Sequence, residues 1–391
     1  MKVKNFIYKV LLDIFFPKGV RVYERMLDDL FMKYEISSGF KSQNVSYNGN
    51  GYTVIPDSER NNFKFINEFY DNHIIDKSLF YLIPNVVVTH PLGVSFIKNN
   101  CILMNSAKNS SIYLNKSGFI KSYFEYKFMK EIELIDCAIL AVDILGINYF
   151  HFINDVLTSL PAFDRYINKF GIRPKVIIQK NAPKFQTEWL EILGVKSDDL
   201  IEITRSIKVK NLLVPSQHIT LIPNSYSNNK LYLLDKNSFD WIRNKVYNLI
   251  PKDTVRDKIY ISRPINSKRF IANEKDLFLM LKKYGFEKIN PDKMTVRDQI
   301  EKFSNSSFVI GAHGAAFSNL IVSSKCVVIE LYPEGRYSES TMTYYQISQM
   351  YGLIHYLITS ECTINHENIK ADVALIEKIV KECINSNNIS V

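Results

Sequence analysis

Between Phe308 and Pro333 the sequence reads FVIGAHGAAFSNLIVSSKCVVIELYP, an apolar strand that breaks into small residues, restarts as a helix and ends in a second apolar strand. A strand C-terminus followed by glycines and a helix start is where parallel sheets bind anions. Gly311 and Gly314 let backbone amides approach a phosphate, and the dipole of the helix opened by Gly314 and Ala315 favours its charge; Asn319 in that helix is expected to be a further ligand-binding residue. His313 lies inside this turn. It reads either as a hydrogen-bond donor to a diphosphate or a catalytic group, or as a turn residue satisfied by neighbouring backbone; the flanking glycines and the strand before them favour the first. The turn is neither the GxGxxG of a dinucleotide fold nor a GKS/T phosphate loop. One strand later Glu330 closes the run VVIE, a position from which a carboxylate can accept hydrogen bonds from ribose hydroxyls or form a surface ion pair.

Two further constellations carry chemistry. The strand KIYISR ends in Ser262 and Arg263, and Arg263 there can neutralise a diphosphate bidentately or sit in solvent; Arg269 is a secondary candidate. Asn273 and Glu274 read as a helix cap followed by an acid in the first turn. Farther upstream, NYFHFINDVL places His151 and Asp155 four residues apart on a helix. On one helical face the carboxylate can orient the imidazole or itself take a proton from a hydroxyl, and a half-buried histidine bonded to a local acid is the plain alternative.

These residues need sheets to hold them. From about residue 81 to 135 short β-rich runs alternate with turn residues, LIPNVVVTHPLGVSFI, CILMNSA and SIYLNKSGFI, in the manner of hairpins. From Ile135 apolar strands alternate with helices: CAILAVDI, a helix from Tyr149 to Lys169, KVIIQ, a helix around Trp189, IEIT and NLLVP. The polar stretch LIPNSYSNNK interrupts this texture, which restarts at KIYISR and continues through CVVIELYP to a helix over Tyr345–Tyr351. The expectation is two α/β units with parallel sheets, residues 1–225 and 226–391, and a final helix from Asp372 to Ile384 free to pack back on the first unit.

Composition bounds the rest. With 391 residues, 46% of them hydrophobic and 23% charged, the chain is neither disordered nor a disulfide mini-protein. Lys and Arg exceed Asp and Glu by nine, which favours anionic ligands, but the basic residues are spread along the chain and no nucleic-acid partner is expected. Five scattered cysteines with no CxxC pair give neither a disulfide framework nor a zinc site, so no metal and a cytoplasmic setting are expected. The opening residues 1–18 lack an uninterrupted apolar run; they form an amphipathic helix that packs on its domain or touches anionic headgroups at the inner face of a membrane.

Taken in order, NYFHFINDVLTSLP, YISR with RFIANE, YGFEKINPDKMTVRDQIEKF and VIGAHGAAFSNLIVSSKCVVIEL resemble the family 61 glycosyltransferases, over roughly Ile135 to Leu331. That family includes bacterial capsular-polysaccharide enzymes and eukaryotic xylosyl- and N-acetylglucosaminyltransferases. The resemblance implies a GT-B architecture of two facing Rossmann-like domains and inverting transfer from a nucleotide-sugar donor, UDP-linked forms included, to a glycan or lipid-linked glycan acceptor. It implies no metal or other cofactor, and the absence of a DxD motif agrees. Carried over, Arg263 and His313 meet the diphosphate, Gly314 and Ala315 supply backbone donors, Glu330 holds the ribose, and Asp155 is the general base with His151 as the fallback. The rivals are another two-domain Rossmann-like enzyme, a nicotinamide oxidoreductase or a sugar-nucleotide epimerase, which the missing GxGxxG disfavours, and a non-catalytic binder of glycan or nucleic acid.

Overall fold

A computed structural model of the chain describes residues 35–38, 43–45, 73–75, 79–90, 93–97, 101–102, 117–128, 133–143, 145–215, 219–223, 230–250, 256–265, 267–333, 343–362 and 368–385. The expected helix over residues 1–18 lies outside them. The chain divides into two compact units, one of residues 1–42 with 76–218 and one of residues 43–75 with 219–391.

In the first unit the strands are β1 (Glu35–Ser38), β2 (Leu79–Thr89), β3 (Val94–Ile97), β4 (Cys101–Ile102), β5 (Glu133–Leu140), β6 (Lys175–Gln179), β7 (Leu200–Ile203) and β8 (Ile207–Pro215). They form one sheet in the order β4-β3-β2-β8-β5-β6-β7, with β1 beside β2. From β8 to β7 the strands run parallel, whereas β2 pairs antiparallel with β8, β3 and β1. The parallel half is made of apolar runs such as KVIIQ, whose three central residues are all buried, as a sheet covered on both faces requires. Within the β-rich stretch the structure corrects one expectation. Ser117–Phe128 is a helix (α1), not a hairpin arm, and Tyr126 stacks on Phe96 of β3 with ring centroids 4.6 Å apart. Tyr126, a good strand former in isolation, is spent here on packing against the sheet. Helices α2 (Pro161–Phe170) and α3 (Lys184–Ile192) complete this unit; α2 starts with proline and stops at Gly171 with φ 68°, the left-handed cap that glycine allows.

The second unit carries β9 (Asp257–Ile261), β10 (Glu287–Ile289), β11 (Ser306–Ala312), β12 (Val327–Pro333), β13 (Ile354–Cys362) and β14 (Ile369–Lys370), and helices α4 (Lys236–Val246), α5 (Glu274–Lys282), α6 (Val296–Ser304), α7 (Thr343–Met350) and α8 (Val373–Asn385). The sheet order is β10-β9-β11-β12-β13-β14, parallel throughout except for β14. One face is buried under α5 and α8, in a core that joins Tyr260, Ile310, Ile329 and Ile358 to Leu277, Leu281, Ile376 and Val380. The last helix therefore packs within its own unit, against α5 and the sheet. Its apolar residues recur at the helical period and match a groove beside α5. Among the described residues no helix is long and apolar enough to cross a membrane.

Candidate active site

The order β10-β9-β11-β12-β13 has one point where the chain reverses direction across the sheet, between β9 and β11. Crevices outside the carboxyl ends of such neighbouring strands are where open parallel sheets bind ligands. Arg263 follows β9 there and His313 follows β11. The Arg263 guanidinium donates from Nη2 to the His313 carbonyl at 3.0 Å and from Nη1 to the Lys268 carbonyl at 2.7 Å, which bridges the two loops. A guanidinium has five N–H donors, and among the described residues only these two bonds engage it. Burial, with Arg269 beside it, pulls this guanidinium down to about 10. It still carries its charge at neutral pH. Arg269 is partly buried and holds φ 62°, a left-handed conformation costly for a residue with a side chain. No carboxylate pairs with either arginine among the described residues.

Glycine is required at two places here by close approach. A Cβ on Gly314 would stand 1.5 Å from Arg263 Nη2, and one on Gly311 would stand 2.9 Å from the Cβ of Ile261 on β9. Ala315 begins a tight 3₁₀ helix, Ala315–Val322, in place of the expected α-helix. Asn319 is fully buried, its amide donating to Gln299 Oε1 at 2.8 Å and to the Ala316 carbonyl. It ties this turn to α6 and stands away from the ligand-facing side. Ser262 donates to Glu274 at 2.7 Å, together with Tyr260 and Lys288. Burial pushes the Glu274 carboxyl up, but these partners outweigh it and hold the group below the usual carboxylate range. Asn273 precedes α5 without a side-chain cap. Its amide instead exchanges two bonds with the backbone of Ala371, pinning the start of α8.

The place of Glu330 differs from the expected ribose contact. Strand β12 runs on to Pro333, so Glu330 lies inside the sheet, opposite Gly311 and Leu357, with no exposed surface. Its Oε1 meets His313 Nδ1 in a short hydrogen bond, and its Oε2 lies 3.1 Å from His355 Nε2. Both oxygens are taken. Beyond His355, Nδ1 stands 2.8 Å from Ser348 Oγ of α7, and His355 and Ser348 are also fully buried. Burial pushes the Glu330 carboxyl up, but the two histidines more than offset it and keep it ionised. For His313 burial acts downward, Glu330 pulls upward, and Arg269 and Arg263 push downward again, leaving it below the ordinary imidazole value. Sequence reading missed His355 and Ser348; a histidine inside the apolar run LIHYLIT is the one trace of them.

In the first unit the corresponding reversal falls between β8 and β5, and a pocket opens there. Val142 and Asp143 beyond β5, Asp155 and Ser159, and Leu213 and Pro215 of β8 line it. The peptide that follows β5 is capped by Asn148, whose Oδ1 accepts from the Phe150 amide, and starts a helical turn at Tyr149–His151. It then widens into a π turn over Phe152–Val156 and tightens into a 3₁₀ turn over Leu157–Ser159. The Thr158 and Ser159 hydroxyls bond back to the Asn154 and Asp155 carbonyls along this irregular stretch. Asp155 Oδ2 lies 2.8 Å from His151 Nδ1, with His151 the more exposed of the two. Widened turns of this kind re-aim one side chain and recur at functional sites. Asp143, buried and accepting from the Leu145 amide, is a second carboxylate of this pocket that sequence reading passed over; an acid closing the strand CAILAVD is its signal.

Among the described residues no group of three or more His, Cys, Asp or Glu is arranged to hold a metal ion. No curated protein matches the chain. Among solved structures, the metal-soaked Flv1 flavodiiron core from Synechocystis sp. PCC6803 aligns with a TM-score of 0.21 and 14% identity, over 38% of this chain and 40% of that one. The chain thus spans less than half of that relative, and so slight a likeness bears on neither fold nor activity. The family model described as Glycosyltransferase 61 matches residues 149–329, a span that holds His151, Asp155, Arg263 and His313 and stops one residue short of Glu330. A first sheet that is parallel over one half, and a second that is parallel except at one edge, in a mixed α/β chain fit an α/β glycosyltransferase fold. The family match, laid over this geometry, supports a family 61 glycosyltransferase, an enzyme that binds a sugar donor and an acceptor.

Proposed function

We propose that the protein is an inverting, metal-independent glycosyltransferase that moves a sugar from a nucleotide-sugar donor to a hydroxyl of a glycan acceptor, in the building of a capsular or other surface polysaccharide. The observation that carries this reading is the pair Arg263 and Arg269 at the strand-order reversal of the second sheet. Neither forms an ion pair with a carboxylate among the described residues, and Arg263, seated in the space that Gly314 leaves, keeps three N–H donors uncommitted. The reading assigns the donor to the second unit and the acceptor to the first, in the GT-B manner. It sets the reaction in the cytoplasm, at the inner face of a membrane.

In the step envisaged, Asp155 accepts the proton of the acceptor hydroxyl while its oxygen bonds the anomeric carbon. The bond from that carbon to the diphosphate oxygen breaks with its electron pair, and the nucleoside diphosphate departs. The departing charge falls to the three uncommitted N–H donors of Arg263, to Arg269, to His313 and to backbone amides at Gly314 and Ala315. Asp155 lies 2.8 Å from His151, which orients it and can share the proton it receives.

Thermal denaturation against UDP-, GDP-, CMP- and dTDP-linked sugars and NAD, each with and without EDTA, tests the reading. A ligand at a hundred times its dissociation constant stabilises by about 2.7 kcal/mol, so one nucleotide-sugar class is expected to raise Tm, with EDTA present as without. A rise with NAD alone, or with none of them, refutes it.

A further inference from the structure

The buried row Ser348, His355, Glu330, His313 has only one consistent arrangement of donors when both rings are neutral. The Ser348 hydroxyl donates to His355 Nδ1, the His355 Nε2–H donates to Glu330 Oε2, and the His313 Nδ1–H donates to Glu330 Oε1. This leaves His313 Nε2 as a bare lone pair, and it has no hydrogen-bond partner among the described residues. The ring is held in place by Tyr332 and Tyr344, with centroids 4.3 and 5.1 Å away, and its side chain keeps 13% of its surface. The charged and titratable groups around it are Glu330 and Tyr332 from β12, His355 reached through Glu330 from β13, Tyr344 from α7, and Arg263 and Arg269 from the loop after β9.

We propose that Glu330 and His355 are positioning residues that lock the His313 ring with Nδ1–H inward, so that Nε2 takes up a proton from solvent when an anionic diphosphate binds. The inference rests on the donor reading above. In the free protein the two arginines oppose a third positive charge. A diphosphate neutralises them and offers an oxygen to Nε2–H, while the Glu330 carboxylate, already buried and unable to reach water, balances the imidazolium. The site would thus gain its third cation only when there is a phosphate to hold.

Calorimetric titration in two buffers of different ionisation enthalpy near pH ~7.5, with whichever of UDP, GDP, CDP and dTDP raises Tm, reads the proton directly. Wild type is expected to take up close to one proton per nucleotide, and its affinity to tighten up to about tenfold for each unit of pH lowered. Glu330→Gln is expected to bind with that uptake lost. Should this buried variant fail to fold, His313→Gln, at a partly exposed position, is expected to show the same loss. Uptake that persists in either folded variant, or is absent from wild type that binds nucleotide, overturns the inference and leaves the donor reading standing. Failure of all four nucleotides to bind removes the donor reading, and this inference with it.

Discussion

Replacing Gly314 with alanine adds one methyl group in an extended stretch, φ 170°, that any residue can adopt. The change would be harmless but for Arg263. The three atoms nearest the new Cβ all belong to that guanidinium, at 1.5, 2.7 and 3.4 Å. The arginine must swing out and give up its bonds to the His313 and Lys268 carbonyls, 3.0 and 2.7 Å long. Hydrogen bonds made by charged groups contribute about 1.5–3 kcal/mol each; at this partly exposed position the lower end applies, giving about 3 kcal/mol for the pair. Over a unit of this size that is a fall in Tm of about 6–12 °C. Arg263→Ala loses the same two bonds by another route. In its background nothing remains for the methyl added by Gly314→Ala to strike, so the double variant is expected to cost about 3 kcal/mol and not about 6, a coupling as large as either single effect. Scanning calorimetry of the four proteins reads this cycle, and nucleotide titration should show both single variants equally impaired. Additive losses in Tm would refute the reasoning, because they would mean that Gly314 is needed for something other than room for Arg263.

Two other outcomes follow from the first unit. Asp155→Asn should retain nucleotide-induced stabilisation and lower kcat by about 10²–10⁴, the usual contribution of a general base, as measured by product formation at saturating donor; near-normal turnover would discard the assignment. For Asp199, burial pushes the carboxyl up, but the paired bond from Arg173 and the Lys196 amide hold it below its ordinary value. A depressed carboxyl lends stability above its unfolded value and loses it as pH falls through the folded one. Wild type should therefore lose Tm as pH drops below about 4, and Arg173→Gln should start lower and show a shallower acid slope. Equal slopes in the two proteins would show that the pair carries no such linkage.

The alternation of apolar strands and helices after Ile135 made the second sheet and the parallel half of the first legible, because strands buried on both faces read as unbroken apolar runs; the antiparallel half of the first sheet departs from the parallel sheet expected there. The turn IGAHGAA was legible for a related reason, since small residues at a strand end have few other uses. Three features were not. The helix at Ser117–Phe128 is written in aromatic residues that favour strands until tertiary packing decides otherwise. Glu330 looked like a strand end because the last polar residue of an apolar run usually is one; its partner His355 lies 25 residues on, and no local pattern links them. The π turn over Phe152–Val156 leaves no trace either, since the spacing of His151 and Asp155 is the same whether the helix is regular or widened.

The position of α8 sets an order on synthesis. Ile376, Ile379, Val380 and Cys383 sit in the same core as Tyr260 of β9 and Leu277 of α5, and Asn273 clasps the backbone at Ala371. A ribosome adding about 5–20 residues per second makes β9 and α5 several seconds before the side chains that cover them exist. Until Val373–Asn385 has emerged, the apolar face of the second sheet stays open to water and to chaperones, and a chain that stops short of it keeps that face bare. The second unit can thus be finished only after Val373–Asn385 has been made, by which point the first unit, whose described strands are all made by Pro215, has had more than a hundred and fifty further residues of synthesis in which to fold.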